Sequence, residues 1–143
     1  MEVELDQSEA VVRALFDRVW NAGELDAIDE LLAPQYRILS DPGDPWDGQT
    51  LTPAGFKERL MISRAPFPDL HFDIDEVVSD RGRVAVSWTM SGTNEGPLGG
   101  RPATGKPVSA RGITIYFVEN GRIAGHKQAV DRLSIVNQLG MME

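Results

Sequence analysis

The apolar residues of this 143-residue chain pass from a helical to a two-residue period near its middle, and that change constrains the fold more than any motif does. Up to about residue 65 they recur every three or four positions, and from about residue 70 to 130 every second position. Helices first and strands afterwards is the pattern of an α+β domain, with the helices on one side of a sheet of largely antiparallel strands. The length suits a single domain over 1–143 and leaves no room for a second core.

Val12, Leu15, Phe16, Val19 and Trp20 make the first helical stripe, with Glu9, Arg13 and Asp17 between them. Asn21-Ala22-Gly23 breaks it, Gly23 being suited to the left-handed position after a helix. Leu25, Ile28, Leu31 and Leu32 form a second, shorter stripe that Pro34 is predicted to stop. A short strand is expected over 36–39, then a loop over 41–49 rich in Asp, Gly and Pro. Thr52-Pro53 supplies a hydroxyl cap and a proline at the first helical position, opening a third helix with Phe56, Leu60 and Met61 inward.

Strands are predicted over 70–78, 84–90, 108–118 and 122–130, with Leu70, Phe72, Ile74 and Val77 facing inward on the first. Asp80-Arg81-Gly82 and Glu119-Asn120-Gly121 are hairpin turns, the second carrying the Asn-Gly signal. Residues 91–107 hold five glycines and three prolines and read as a long loop. A last helix begins at Asp131-Arg132-Leu133 and stops at Gly140. A strongly curved sheet with helices across its concave face forms a cone, and its interior is a natural pocket.

The formal charge of −8 argues against nucleic acid or an anionic membrane as partner, since both require a cationic footprint. The absence of cysteine excludes thiol nucleophiles, disulfides and cysteine-ligated metals. The acidic opening MEVELDQSE lacks the layout of a secretory signal, and no apolar run approaches the roughly 20 residues of a spanning helix. A soluble, cytoplasmic protein is expected.

Several strings, in order, carry a resemblance. They are Val19-Trp20-Asn21-Ala22-Gly23-Glu24-Leu25-Asp26, Leu31-Leu32-Ala33-Pro34-Gln35-Tyr36, Pro66-Phe67-Pro68-Asp69-Leu70, Trp88-Thr89-Met90-Ser91-Gly92-Thr93 and Pro102-Ala103-Thr104-Gly105-Lys106. Asn120-Gly121-Arg122-Ile123, Asp131-Arg132-Leu133 and Gln138-Leu139-Gly140 complete the set. Together they resemble the SnoaL-like polyketide cyclases (ester cyclases), a branch of the NTF2-like superfamily. The resemblance implies an NTF2-like cone, a strongly curved antiparallel or mixed sheet with N-terminal helices over its concave face. It also implies a homodimer and a small hydrophobic ligand, aromatic or polycyclic. The implied chemistry is intramolecular aldol closure of a hydrophobic carbonyl ester by acid/base catalysis, with no metal and no organic cofactor. Isomerases, dehydratases, epoxide hydrolases and non-catalytic binders share the fold, so these stand as alternatives.

Asp131 is the leading candidate for the acid/base group, because the resemblance sets the family's pocket carboxylate there. In an apolar pocket a carboxyl rises toward the working pKa range. The residue pattern by itself favours a helix cap ahead of Arg132 over that role, and only the resemblance brings the two level. His126 is the second candidate, but strand alternation sets His126 and Gln128 on one side and Lys127 and Asp131 on the other. The chain departs from the family in having no histidine between Phe72 and Gly125 and in carrying Asn94 where relatives have one. Tyr116 stands nearby as a hydrogen-bond donor to an enolate.

Tyr36, Trp46, Phe56, Trp88, Met90, Tyr116 and Gln128 are the pocket candidates, Trp46 because no periodic element anchors it. His71 with Asp69 and Asp73 shares one strand face at about 7 Å spacing, which reads as a solvated surface rather than a metal site. Gly100-Arg101-Pro102-Ala103-Thr104-Gly105-Lys106 has P-loop spacing, yet Pro107 and a strand follow it, so it is not read as phosphate-binding.

Overall fold

The computed structural model describes residues 7–141, so most of the acidic opening lies outside the described residues. Helix α1 (Gln7–Ala14) continues into a wider-wound π-helical segment (Leu15–Asn21), then α2 (Leu25–Leu31), β1 (Leu32–Ser40) and β2 (Thr50–Leu51). Helix α3 (Pro53–Arg64) precedes the strand run β3 (His71–Asp80), β4 (Arg83–Thr93), β5 (Pro107–Glu119) and β6 (Arg122–Val130), and α4 (Arg132–Gln138) ends the fold. The six strands form one mixed sheet in the order β2-β1-β6-β5-β4-β3, parallel only between β1 and β6.

Local chemistry explains the boundaries. The Thr52 hydroxyl accepts from Gly55 N at 3.1 Å, with Pro53 opening α3. Arg81 and Gly82 have φ of 52° and 79°, Asn120 and Gly121 of 53° and 77°. Positive φ at both central residues is the turn whose twist matches a hairpin. Asn21 closes the helical layer onto the sheet: its amide donates to Phe72 O at 3.0 Å and accepts from Phe72 N at 2.7 Å, as a neighbouring strand would.

Three expectations are corrected. Pro34 does not stop a helix but lies inside β1: Leu32 is already extended (φ −97°, ψ 148°), and the β1–β6 pairing jumps from Leu32 to Arg37, so no ladder bond needs an N–H from Pro34. Met61 is not inward but 54% exposed; the buried stripe of α3 is Phe56, Arg59 and Leu60. The glycine-rich loop is shorter than expected, because β4 runs on to Thr93, whose N–H and hydroxyl bond Asp69 at 2.7 and 2.8 Å.

The inner face of the sheet is set by register. Trp88 lies opposite Gly112, which lies opposite Val130; Thr114 lies opposite Gln128, and Tyr116 opposite His126. An added Cβ at Gly112 would come within 2.3 Å of the Trp88 ring, so only glycine lets the indole lie flat across β5. Phe16 and Trp20 meet this face from the helical side, each edge-on to Phe72.

Candidate active site

Between the helical layer and the inner face lies a cavity of ≈410 Å³, within the range of small-molecule sites. Phe16, Trp20, Phe67, Phe72, Trp88 and Met90 give it apolar walls; Tyr36, Arg59, Tyr116, His126 and Gln128 give it one polar end. Asp44 and Trp46 approach from the β1–β2 loop, Arg132 from the start of α4.

A carboxylate organises the polar end. Asp41, at the head of the Asp/Gly/Pro loop, has no solvent exposure. Its Oδ2 accepts from His126 Nε2 and from Gln128 Nε2, both at 3.0 Å, and its Oδ1 from an Arg132 terminal nitrogen at 3.1 Å. The Asp41 backbone N–H donates to Asp47 Oδ1 at 2.7 Å, fixing the loop around it. Burial by itself would push the carboxyl up; the His126 hydrogen bond and the charges of His126, Arg59 and Arg132 outweigh it and hold the pKa below its ordinary value. Asp41 is therefore ionised at neutral pH, and His126 must carry its proton on Nε2.

Nδ1 of His126 is then an acceptor, and the Tyr36 hydroxyl donates to it at 2.5 Å. Burial lowers the His126 pKa; the hydrogen bond to Asp41 opposes this without prevailing, and the Arg59 charge lowers it further. The ring is thus neutral at pH 7. Burial raises the Tyr36 and Tyr116 phenols above their ordinary range, so both keep their protons. A second chain of donors enters Asp41 from the apolar end. Trp88 Nε1–H donates to Thr114 Oγ1 at 2.8 Å, Thr114 to Gln128 Oε1 at 2.6 Å, and Gln128 Nε2 to Asp41. Tryptophan is a donor only, so the direction of the whole chain is fixed.

Of the residues singled out in the sequence, Tyr36, Trp46, Trp88, Met90, Tyr116, His126 and Gln128 line the cavity. Phe56 does not line it; its ring packs edge-on behind Tyr36 at 4.9 Å between centroids. Asp131 does not line it either. Its carboxylate accepts from Ser134 N at 3.1 Å on the exposed start of α4, because β6 ends at Val130 and position 131 takes the outward parity. Asn94 is buried in the β4–β5 loop, where its side chain accepts from Thr104 N at 2.9 Å and donates to Gly96 O at 2.8 Å. His71 pairs with Asp73 at 3.2 Å on the exposed surface while Asp69 is engaged by Thr93.

Sequence reasoning missed Asp41, Arg59 and Arg132. Asp41 sits in a string whose composition signals only a turn. Arg59 left a readable trace, falling between Phe56 and Leu60 on the apolar stripe of α3, where a solvated arginine has no place.

The chain belongs to the SnoaL-like polyketide cyclase family, whose profile matches residues 10–139. Its structure is similar to a candidate polyketide cyclase from Acidithiobacillus ferrooxidans, 36% identical over 100% of both chains with a TM-score of 0.89. It is also similar to TsrD from Streptomyces laurentii, at 25% identity over 99% of this chain and 100% of that one, TM-score 0.82. IdmH, a candidate polyketide cyclase from Streptomyces antibioticus, is 26% identical over 94% and 99%, TM-score 0.79. No curated protein matches the chain significantly. Among the described residues no helix is long and apolar enough to cross a membrane.

Proposed function

We propose that the protein is an acid/base enzyme acting on a hydrophobic carbonyl compound, of the type that closes a ring by intramolecular aldol condensation, with His126 as base and acid. The observation that carries this reading is the line Asp41–His126–Tyr36 ending at an aromatic-walled cavity.

The step balances within the site. A carbon flanked by carbonyls gives up its proton to the Tyr36 oxygen as the Tyr36 proton passes to His126 Nδ1. The products are an enolate and an imidazolium, and Asp41 stabilises the imidazolium through Nε2–H. The enolate carbon attacks a second carbonyl, forming the new C–C bond. The resulting alkoxide takes a proton from Tyr36, which His126 restores. Asp41 orients His126 and lies behind the wall, so it is a positioning residue. The expected substrate is an aromatic polyketide ester with a pendant 1,3-dicarbonyl chain. Incubating the protein with such an ester and following ring closure by mass spectrometry tests the reading. His126→Gln is expected to abolish closure while the ester still binds. Equal turnover in that variant sinks it, and binding without turnover in the wild type favours a ligand-binding protein.

A homodimer is part of the same reading. Val78, Ile113 and Ile115 are 66%, 57% and 37% exposed on the outer side of the sheet, and Val78, Ala85 and Ile115 follow one another across β3, β4 and β5. Light scattering is expected to give twice the chain mass, and Ile113→Lys the monomer; a monomeric wild type removes this element.

A further inference from the structure

Of the two arginines around Asp41, Arg59 is the more loosely held. Arg59 is 4% exposed on the inner stripe of α3 and lines the cavity. Its guanidinium carbon lies 5.5 Å from the Trp20 and Phe56 ring centroids and 5.7 Å from that of Trp46. One terminal nitrogen reaches both nearby carboxylates at long range, Asp41 Oδ2 at 3.5 Å and Asp44 Oδ1 at 3.6 Å. Nε is buried and has no hydrogen-bond partner among the described residues.

Asp41 has closer partners than this cation. Arg132 holds its Oδ1 at 3.1 Å, and His126 and Gln128 hold its Oδ2. Asp44 is itself engaged, since its Oδ2 accepts from Trp46 N at 3.0 Å. A buried guanidinium with long contacts and an orphan Nε is strained electrostatically, because charge removed from water calls for close, directed partners. The fork geometry of arginine fits a pair of oxygens. The three rings hold the plane still and keep water off it, which strengthens its interaction with any anion entering the cavity.

We propose that Arg59 is the oxyanion-binding group of the cavity, selecting ligands that present an ionised or ionisable oxygen on a flat apolar frame, as an acidic enol or 1,3-dicarbonyl does. This deepens the proposed function: Arg59 would hold the enolate oxygen while His126 carries the proton. The charged groups around the bound oxygen are Arg59, Arg132 and Asp44, which line the cavity, and Asp41 behind its wall. Their formal charges cancel, so the preference rests on the proximity and orientation of Arg59 rather than on a net field.

The test is a matched pair of bicyclic probes, 2-hydroxy-1,4-naphthoquinone, ionised at neutral pH, and its neutral methyl ether, 2-methoxy-1,4-naphthoquinone. Dissociation constants are measured by quenching of tryptophan emission. The wild type is expected to bind the anion at least 10-fold more tightly than the ether. Arg59→Met is expected to bind both alike, with the affinity for the ether within about threefold of wild type. Arg59→Gln, which keeps a polar head in the slot, is the second variant should Arg59→Met fail to fold, and the same loss is expected. Equal binding of the two probes by the wild type, binding of neither, or an anion preference that survives both substitutions overturns the proposal. Anion preference without ring closure of polyketide esters leaves Arg59 as the binding group and removes the catalytic reading. Ring closure without anion preference does the reverse.

Discussion

His126 Nε2 stands 3.0 Å from Asp41 Oδ2, with the two residues 2% and 0% exposed. The two residues are 85 positions apart in the chain and meet only because β1 runs parallel beside β6, with Ile38 opposite His126. The chemistry of the cavity descends from this contact. It fixes the histidine tautomer, turns Nδ1 toward Tyr36, and anchors a carboxylate whose other acceptor sites are taken by Gln128 and Arg132.

Asp41→Asn is expected to lose both stability and turnover. The neutral amide leaves Arg59 and Arg132 without their shared charge and offers His126 Nε2–H a weaker acceptor. Breaking one side of a buried ionic network costs on the order of 3 kcal/mol. Loss of the oriented base costs on the order of 10²-fold or more in kcat. Urea unfolding and a turnover assay measure the two separately. A variant as stable as wild type removes Asp41 from its central place.

The pH dependence has a definite sign. His126 has its folded pKa below the ordinary 6.5, so the unfolded chain binds more protons and stability falls as pH drops below about 6.5, down to the folded pKa. Asp41 is also depressed, from 3.8, so its contribution is present above that value and is lost as pH falls through its folded pKa. The urea midpoint is therefore expected to be level above neutrality and to drop in two stages on acidification. His126→Gln should lack the first stage. Turnover should rise with pH through an inflection below 6.5 and then level off; an inflection above 6.5 would count against a neutral, buried base.

Asp131 separates a cap from an acid. Because asparagine caps a helix as well as aspartate, Asp131→Asn is expected to leave stability and turnover near wild type. Asp131→Ala removes the acceptor for Ser134 N and should cost about 1 kcal/mol, again with kcat retained. Loss of turnover in a folded Asp131→Asn protein would return the acid/base role to that carboxylate.

Gly112→Ala should disturb the cavity from the sheet side. The new methyl falls 2.3 Å from the Trp88 ring, which must tilt and break its 2.8 Å bond to Thr114. Overpacking of this kind costs about 1–3 kcal/mol. A red shift of tryptophan emission and weaker binding of aromatic ligands are expected. An unchanged spectrum would mean the ring is not pinned by Gly112.

Much of the architecture was legible in the residues. The change of period near residue 65 gave helices before strands, Thr52-Pro53 the start of α3, and Asn120-Gly121 the last hairpin, because each of these is governed by neighbours within a few positions. Alternation along β6 also set His126 and Gln128 on one side and Asp131 on the other, and the structure keeps that parity. Strand β2 was not legible, since two residues carry no period.

The polar end of the cavity was not legible, and the reason is physical. Asp41 in a turn-forming string and Arg132 at a helix start are ordinary surface residues by every local rule. Asp41 leaves water, and Arg132 pairs with it, only when the β1–β2 loop folds over the end of β6, which is a contact between segments some 90 residues apart. The sequence by itself determined an α+β fold of helices followed by strands and carried the family in an ordered set of short strings. Tertiary structure decided which carboxylate is buried beside the histidine and which caps a helix. Burial and charge pairing are properties of segments brought together, and no local pattern encodes them.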